Sequence, residues 1–188
     1  LRAFFEVDRR YVAVAALKAL ADDGALPAAR VVEAMRAYCR RPVLFPYSNP
    51  TSKAECTAEQ AWTWTDGEAI FAAGSPFAPV TLGKRVLIPG QGNNVYIYPA
   101  VGLAVYACEA SRVTDEMFLK AAESLAARTT DAELSVGLIY PPIDRIHQSA
   151  VEVAVEVAEH IFARGLARVE RPRDVSAWIR SKVYDPAY

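Results

Sequence analysis

Neutral amide side chains follow two apolar parts of this sequence, and their positions are suited to binding a small polar ligand. Ser48 and Asn49 come after the apolar segment 42–47, and Asn93 and Asn94 come after a glycine-containing loop. A carboxamide offers hydrogen-bond donors and an acceptor without adding charge, so it can bind a carboxylate, a hydroxyl group or another amide. Asparagine beside proline or at a helix start also has structural roles in turns and caps. Spacing alone therefore leaves a ligand-binding role and a turn role open.

Three short apolar segments would have to position these loops, and each is predicted to be a β-strand. The segments 42–47, 69–73 and 86–88 each end in a loop of polar, glycine or proline residues. A short apolar run bounded by turn residues is typical of a buried strand. Apolar strands followed by such turns favour a parallel sheet. In open α/β sheets the ligand binds just beyond the carboxyl ends of the strands.

Amphipathic segments around these strands are predicted to be helices, so the predicted fold class is α/β. Asp8 is a candidate N-cap for a first helix that ends before Gly24, and Pro27 begins a second helix. The residues Thr57-Ala58-Glu59-Gln60 have the form of a capping box for a short third helix. Further helices are predicted over residues 95–110, 114–128 and 144–164, and a last one after Pro172 is halted by Asp185-Pro186. The apolar face of the helix 144–164 is expected to pack on the sheet.

The overall composition favours a globular protein with a small-molecule or protein partner. Of the 188 residues 53% are hydrophobic, which is ample for a core. The 21 basic and 22 acidic side chains nearly balance, so neither nucleic acid nor a membrane is expected as a partner. The odd number of cysteines argues against a disulfide framework and predicts reduced thiols in a cytoplasmic protein. The first residues lack a signal pattern and an initiator methionine, so we expect the chain to begin inside a longer product.

Other residues with reactive side chains do not form a recognised catalytic motif. His147 and His160 are too far apart to share one helix face as metal ligands, and no paired acid or cysteine motif accompanies them. The loop that begins at Gly90 departs from a dinucleotide phosphate fingerprint, because Val95 stands where the third glycine is required. No Ser-His-Asp or Cys-His arrangement is recognisable. We therefore assign neither a catalytic residue nor a metal ligand.

Several separated motifs of the sequence resemble those of the malic enzymes and occur in the same order. They are Ser48-Asn49-Pro50-Thr51-Ser52-Lys53-Ala54-Glu55-Cys56-Thr57, Gly74-Ser75-Pro76-Phe77, Gly90-Gln91-Gly92-Asn93-Asn94, Asp115-Glu116-Met117, Tyr140-Pro141-Pro142 and Tyr184-Asp185-Pro186. The resemblance implies a partial Rossmann-like parallel sheet flanked by helices over residues 24–112, the later half of that family's NAD(P)-binding domain. A helical C-terminal tail over residues 113–188 would follow. Residues 1–23 are predicted to form a helix without a clear family match.

The resemblance also implies a substrate, a cofactor and a set of binding residues. In malic enzymes malate is oxidised by hydride transfer to NAD or NADP and decarboxylated to pyruvate, with a divalent metal, Mg²⁺ or Mn²⁺, holding the substrate oxygens. By resemblance Asn49, Asn93 and Asn94 line the malate and nicotinamide pocket. Ser48 and Ser75 are candidates to approach the cofactor, and a structural role as turn residues is the alternative for both. The catalytic lysine and tyrosine, the acidic metal ligands and the glycine-rich loop of the family belong to upstream segments without a counterpart here. We therefore expect the chain to act with missing sequence or to be a remodelled descendant.

Other interpretations remain open from the sequence. The competing class is a non-catalytic α/β interaction module, in which residues 1–23 cover the sheet edges left by a lost half. Malolactic chemistry on the same scaffold is a third possibility, and the choice between NAD and NADP is undecided because the ribose-reading position is absent. Apolar sheet edges also predict a dimer or a larger homo-oligomer.

Overall fold

The fold is known from a computed structural model that describes residues 9–184. The predicted helix cap Asp8 and the predicted helix stop Asp185-Pro186 lie outside this range. The α-helices are α1 (Arg9–Asp22), α2 (Ala28–Arg36), α3 (Ala58–Trp64), α4 (Tyr98–Ala107), α5 (Asp115–Ala126), α6 (Asp131–Ser135), α7 (Ile146–Ala163) and α8 (Val175–Ser181). The strands are β1 (Val43–Leu44), β2 (Ile70–Ala73), β3 (Val80–Leu82), β4 (Arg85–Leu87) and β5 (Gly90–Gln91).

The chain divides into two compact units. The first runs up to Gly92 and includes the short segment Leu134–Ile139, and it contains every described strand. The second comprises Asn93–Glu133 and the residues from Tyr140 onwards, and its described part is helical. The predicted division into residues 1–23, 24–112 and 113–188 stays a prediction.

The first unit is built on a three-stranded sheet in the order β1-β2-β5. Both pairings are parallel, with Leu44 opposite Phe71 and Ala73 opposite Gln91. Residues of α2 and α3 share one buried cluster with β1 and β2, so helices cover the sheet. The predicted fold class, a partial Rossmann-like parallel sheet flanked by helices, is confirmed.

The segment 86–88 does not supply the third parallel strand, so that prediction is wrong. It largely forms β4, which pairs with β3 in an antiparallel hairpin. The turn between them contains Gly83 at φ +62°, a left-handed conformation that glycine adopts without steric cost. The third parallel strand is β5, whose two residues, glycine and glutamine, have little β-propensity. The pairing of β5 with β2 therefore depends on its place beside β2 in the folded chain and not on the β-propensity of its two residues.

The core of the first unit forms where α2 and α3 meet the strands. Val32 of α2, Trp62 of α3 and Phe71 of β2 are buried in one cluster. The indole N–H of Trp62 donates a hydrogen bond of 3.1 Å to the Ala69 carbonyl oxygen, which satisfies its only polar group. The rings of Trp62 and Phe71 pack with centroids 5.4 Å apart. Trp62 is therefore a packing residue of this core.

The predicted capping box at the start of α3 is confirmed. Thr57 Oγ1 accepts a hydrogen bond of 3.1 Å from the Gln60 backbone N–H, and Gln60 Oε1 accepts one of 2.9 Å from the Thr57 N–H. Two backbone N–H groups that a helix start leaves unpaired are thereby satisfied. The box fixes the point at which the loop carrying Ser48 and Asn49 ends.

The second unit is a cluster of helices around α7. Val153, Val157 and Ile161 of α7 are fully buried and pack with residues of α4, α5 and α8. The prediction that this apolar face packs on the sheet is therefore wrong, because neighbouring helices fill it. As predicted, the helix ends before Gly165, whose φ of +64° favours glycine. Among the described helices, none combines the length and apolar character that a membrane crossing requires.

Candidate functional site

The carboxyl ends of the parallel strands bring polar residues and glycines to one edge of the first unit. β1 leads to Ser48 and Asn49, β2 leads to Gly74 and Ser75, and β5 leads to Gly92. Because the three strands run in the same direction, these residues share one edge of the sheet. Ligands of open α/β sheets bind at this edge. It is therefore the candidate site.

The side chain of Asn49 is held at this edge by two contacts. Ser75 Oγ donates a hydrogen bond of 2.7 Å to Asn49 Oδ1. Asn49 Nδ2 lies 3.5 Å from the Tyr47 carbonyl oxygen, which is at the outer limit of a hydrogen bond. Ser75 is buried whereas Asn49 is exposed. An amide exposed to solvent is thus anchored to a buried hydroxyl group.

Two glycines allow the chain to approach itself closely here. A Cβ atom at Gly74 would lie 2.6 Å from the Tyr47 carbonyl oxygen and 3.1 Å from Asn49 Nδ2. A Cβ atom at Gly92 would lie 2.6 Å from the Tyr47 hydroxyl oxygen. Contacts this short require neighbouring atoms to move. The two glycines therefore permit the observed packing of the segment 47–49.

Hydrogen bonds tie the three strand ends to one another. Gly74 N–H donates to the Pro46 carbonyl oxygen at 3.3 Å, and Gly92 N–H donates to the Ala73 carbonyl oxygen at 2.9 Å. Gln91 Nε2 donates to the Gly74 carbonyl oxygen at 3.2 Å. These bonds connect all three strands at their carboxyl ends. The spacing of the loops that follow is therefore set by the sheet.

Ser48 already has a partner, because its hydroxyl group donates a hydrogen bond of 2.6 Å to Glu55 Oε1. Burial acts to raise the pKa of Glu55, but hydrogen bonds from Ser48 and the Glu55 backbone, with the positive charge of Lys18, outweigh burial. The net effect is a pKa below the ordinary value. The Ser48 hydroxyl proton is thus engaged in the hydrogen bond to Glu55, and the Ser48 hydroxyl oxygen remains available to accept a hydrogen bond.

Asn93 and Asn94 belong to the second unit and begin a short 3₁₀ turn ahead of α4. Asn93 Oδ1 accepts a hydrogen bond of 3.0 Å from the Val95 N–H, so Asn93 is the cap of this turn. The Asn94 side chain is exposed and makes no hydrogen bond to any described residue. The turn is anchored by Tyr96, whose buried hydroxyl group donates to the Pro141 carbonyl oxygen at 2.6 Å. Of the pair, Asn94 has the freer amide.

The histidine, cysteine and acidic side chains of residues 9–184 do not form a metal site. In that range, no group of three or more His, Cys, Asp and Glu side chains is placed to hold a metal ion. The described residues therefore do not fit the divalent metal that the resemblance implies, and we derive no step through it. Burial, with the charge of Glu55, raises the pKa of the Cys56 thiol to about 11, which disfavours a reactive thiolate. His160 lies in the last turn of α7, 3.6 Å from Glu116.

The sheet and its polar edge define a class of protein. A parallel sheet covered by helices, with amides and glycines beyond the carboxyl ends of its strands, is a Rossmann-like α/β domain of the dinucleotide-binding type. The family model "Malic enzyme, NAD binding domain" matches residues 16–162 of this chain. The chain belongs to the malic enzyme family.

Individual relatives agree with this assignment. The NADP-dependent malic enzyme of Dictyostelium discoideum is 46% identical over 158 residues, which is 84% of this chain and 29% of that protein. The enzyme of the same name from Populus trichocarpa is 46% identical over 159 residues, 84% of this chain and 27% of that protein. The one from Columba livia is 44% identical over 161 residues, 85% of this chain and 29% of that protein. The chain thus spans less than a third of the length of these relatives.

The sequence identified Asn49 as a candidate but did not identify the groups that hold it. Ser75 has the features of a turn residue, and Tyr47 those of the last residue of an apolar run. The hydrogen bond between Ser75 and Asn49 joins residues 26 positions apart, so no local pattern reveals it. Ser75 stands in the motif Gly74-Ser75-Pro76-Phe77, but this motif does not reveal its partner, and turns commonly contain a serine directly after a glycine.

Proposed function

We propose that this chain supplies the substrate- and nicotinamide-binding part of an enzyme that oxidatively decarboxylates malate to pyruvate. The observation that carries the proposal is the Asn49 amide, held by Ser75 at the carboxyl edge of a parallel sheet. Membership of the malic enzyme family supports malate and a nicotinamide nucleotide as ligands. Relatives named as NADP-dependent make NADP the first cofactor to test, with NAD second.

In this proposal the chain binds and orients its ligands. When bound, the nicotinamide ring of NADP or NAD accepts the hydride that malate loses on oxidation. Asn49 and Asn94 donate hydrogen bonds to oxygen atoms of the substrate or of the nicotinamide carboxamide. Ser48 offers its hydroxyl oxygen, and Asn93 caps the turn that carries Asn94. Uncharged side chains suit these positions because they add no charge beside the carbon that loses the hydride.

Thermal unfolding with added cofactor tests the binding part of the proposal. A ligand at 100 times its Kd stabilises the folded chain by about 2.7 kcal/mol, which raises Tm by about 5–10 °C for a chain of this size. We expect Asn49→Ala and Asn94→Ala each to reduce the shift. Gln148→Ala, a change at an exposed amide of α7, is the matched control and should leave it unchanged. An unchanged Tm with millimolar NADP and millimolar NAD would remove support for binding.

We further propose that turnover requires residues beyond those described here. The support is the absence of a metal-ligating group within residues 9–184 and the chain's share of its relatives' length. The purified chain should therefore bind cofactor without oxidising malate in the presence of Mn²⁺ or Mg²⁺. Turnover at about 1–1000 s⁻¹, the range of ordinary enzymes, would contradict this part.

A non-catalytic interaction module is the second candidate, and the edge strand β1 favours it. Val43, Phe45 and Tyr47 in and beyond β1 are 48%, 42% and 40% exposed. Apolar residues along an open strand edge favour association with another chain. The cofactor titration separates the two candidates, because an interaction module gives no cofactor-dependent shift in Tm.

A further inference from the structure

We infer that Ser75 is a positioning residue that fixes the carboxamide of Asn49 with its nitrogen as the group offered to a ligand. The inference rests on the proposed ligand-binding role of Asn49 and adds the direction in which this amide donates. Ser75 acts through Asn49 and is assigned no contact with the ligand. The support comes from the hydrogen-bonding chemistry of the two groups that touch the amide.

The Tyr47 carbonyl group determines which amide atom of Asn49 faces it, and Ser75 binds the other amide atom. The Tyr47 carbonyl oxygen can only accept, so the amide atom 3.5 Å from it must be the nitrogen. The amide oxygen is then the atom 2.7 Å from Ser75 Oγ, and the serine hydroxyl group must donate. Exchanging the two amide atoms would place two acceptor oxygens against each other at Tyr47. The Tyr47 contact therefore selects this orientation, and the Ser75 hydroxyl group, which can donate or accept, holds the amide in it by donating to Oδ1.

Ser75 can hold this orientation because its own backbone is fixed. It is buried directly after Gly74, whose N–H donates to Pro46 and whose carbonyl oxygen accepts from Gln91. The missing Cβ atom at Gly74 leaves room for Asn49 Nδ2, which is 3.1 Å from the ideal Cβ position. A hydroxyl group on a backbone bonded to both neighbouring strands is a rigid support for a binding side chain.

The fixed orientation determines whether Asn49 Nδ2 binds a hydrogen-bond donor or an acceptor of the ligand. Its oxygen is engaged by Ser75, and one amide proton faces the Tyr47 carbonyl group. The donor left for a ligand is the second N–H of Nδ2, and the ligand atom that binds it must be an acceptor. A carboxylate oxygen of a hydroxy acid or the carbonyl oxygen of a nicotinamide carboxamide meets this requirement. The NH₂ group of that carboxamide does not.

The side-chain amide signals of Asn49 test the inference without any ligand. We expect the ¹⁵N–{¹H} NOE of the Asn49 side-chain amide, assigned by its loss in Asn49→Ala, to exceed that of Asn94. The Asn94 side chain is the internal reference because it makes no hydrogen bond to a described residue. Ser75→Ala should lower the Asn49 value to that of Asn94, and Ser75→Thr should restore it. Equal values in the wild-type chain and in Ser75→Ala would overturn the inference.

Binding of NADP and of malate tests the direction of donation. Asn49→Asp keeps the shape of the side chain but replaces the donor by an oxygen, so it should weaken binding at least about tenfold and more than Asn49→Ala does. Ser52→Asp adds a charge to an exposed position of the same loop and controls for long-range repulsion. Binding by Asn49→Asp as tight as that of the wild-type chain would overturn the inference.

A double variant separates positioning from a merely structural effect. Ser75→Ala alone should weaken binding about three- to tenfold, as expected for one lost hydrogen bond. Added to Asn49→Ala it should cause no further loss, because the group it orients is gone. A further loss as large as that of Ser75→Ala alone would contradict positioning through Asn49. If the wild-type chain binds neither probe, the proposed function fails, and the NOE measurement alone decides the inference about Ser75.

Discussion

At the scale of single residues, the candidate side chains combine a structural bond with a free polar atom. The Asn49 amide oxygen accepts from Ser75, and the Ser48 hydroxyl group donates to Glu55. The Asn93 amide oxygen accepts from the backbone N–H of Val95 as a cap. Each bond satisfies one atom of the group and leaves another for a ligand. A turn role and a binding role are therefore compatible at these positions, although residue spacing presents them as alternatives.

The sequence provides the candidate residues of the site, but the partners of those residues could not be predicted from it. Asn49 is marked by its place after an apolar run and before proline. Its bond to Ser75 depends on the parallel register of β1 and β2, in which Leu44 lies opposite Phe71. Register is a property of the folded sheet, so local sequence does not encode which hydroxyl group reaches the amide.

Substitution of Gly74 tests the close packing at the candidate edge. In Gly74→Ala the new methyl group would lie 2.6 Å from a backbone oxygen, so the strand ends must separate. We expect a loss of about 1–3 kcal/mol in the free energy of unfolding, as for other overpacked sites. Gly102→Ala is the matched control, because its methyl group meets no atom within 4 Å and alanine favours the helix α4. Urea unfolding of both variants measures the difference, and equal stabilities would refute the packing argument.

The bond between Ser48 and Glu55 predicts a pH dependence. A carboxyl group whose pKa is lowered on folding stabilises the protein above its unfolded pKa, and this stabilisation disappears as the pH falls through the folded pKa. For Glu55 the stabilisation is therefore complete above its ordinary value of 4.5 and is lost below that pH. Ser48→Ala should raise the pKa of Glu55 and remove much of this dependence.

Titration of the Glu55 side-chain carbon by NMR measures this pKa directly. Ser52→Ala removes a different, exposed hydroxyl group from the same loop and should leave the titration unchanged. A Glu55 pKa that is the same in the wild-type chain and in Ser48→Ala would show that the hydrogen bond does not lower it.

At the scale of elements, the length of a sequence signal determined whether an element could be predicted. α5 and α7 show apolar residues at helical spacing over several turns, and the structure contains both close to the predicted bounds. β5 has two residues and no β-forming side chain to mark it. The packing partner of α7 was also unpredictable, because an apolar face indicates burial without indicating against what.

The contribution of the α3 capping box to the free energy of unfolding can be tested by a single substitution. Thr57→Ala removes a side-chain acceptor from a helix start and should lower the free energy of unfolding by about 1 kcal/mol. Thr63→Ala changes the same residue type at an exposed position inside the helix, where alanine has the higher helix propensity, and should not destabilise. Urea unfolding compares the two variants. A Thr57→Ala variant as stable as Thr63→Ala would show that the box contributes nothing.

At the scale of the whole molecule, strand β1 forms an open edge of the three-stranded sheet. β1 pairs with β2 along one edge. Along its other edge it has no neighbouring strand within residues 9–184. The buried and exposed residues along 43–47 alternate, and the exposed ones are also apolar. Strands that are apolar on both faces belong to sheets covered on both faces. Residues 43–47 therefore present apolar side chains that are exposed in the part of the chain that the structure describes.

This surface predicts that the chain associates with itself in solution. We expect multi-angle light scattering to give the mass of a dimer or a larger assembly, because association removes exposed apolar strand edge from water. Val43→Lys places a charge on that edge and should shift the mass toward the monomer at equal concentration. Val86→Lys, a similar change at a valine of similar exposure in the hairpin strand β4, should leave it unchanged. A wild-type chain that remains monomeric at high concentration would contradict self-association, and an equal effect of both lysine variants would place the contact elsewhere than β1.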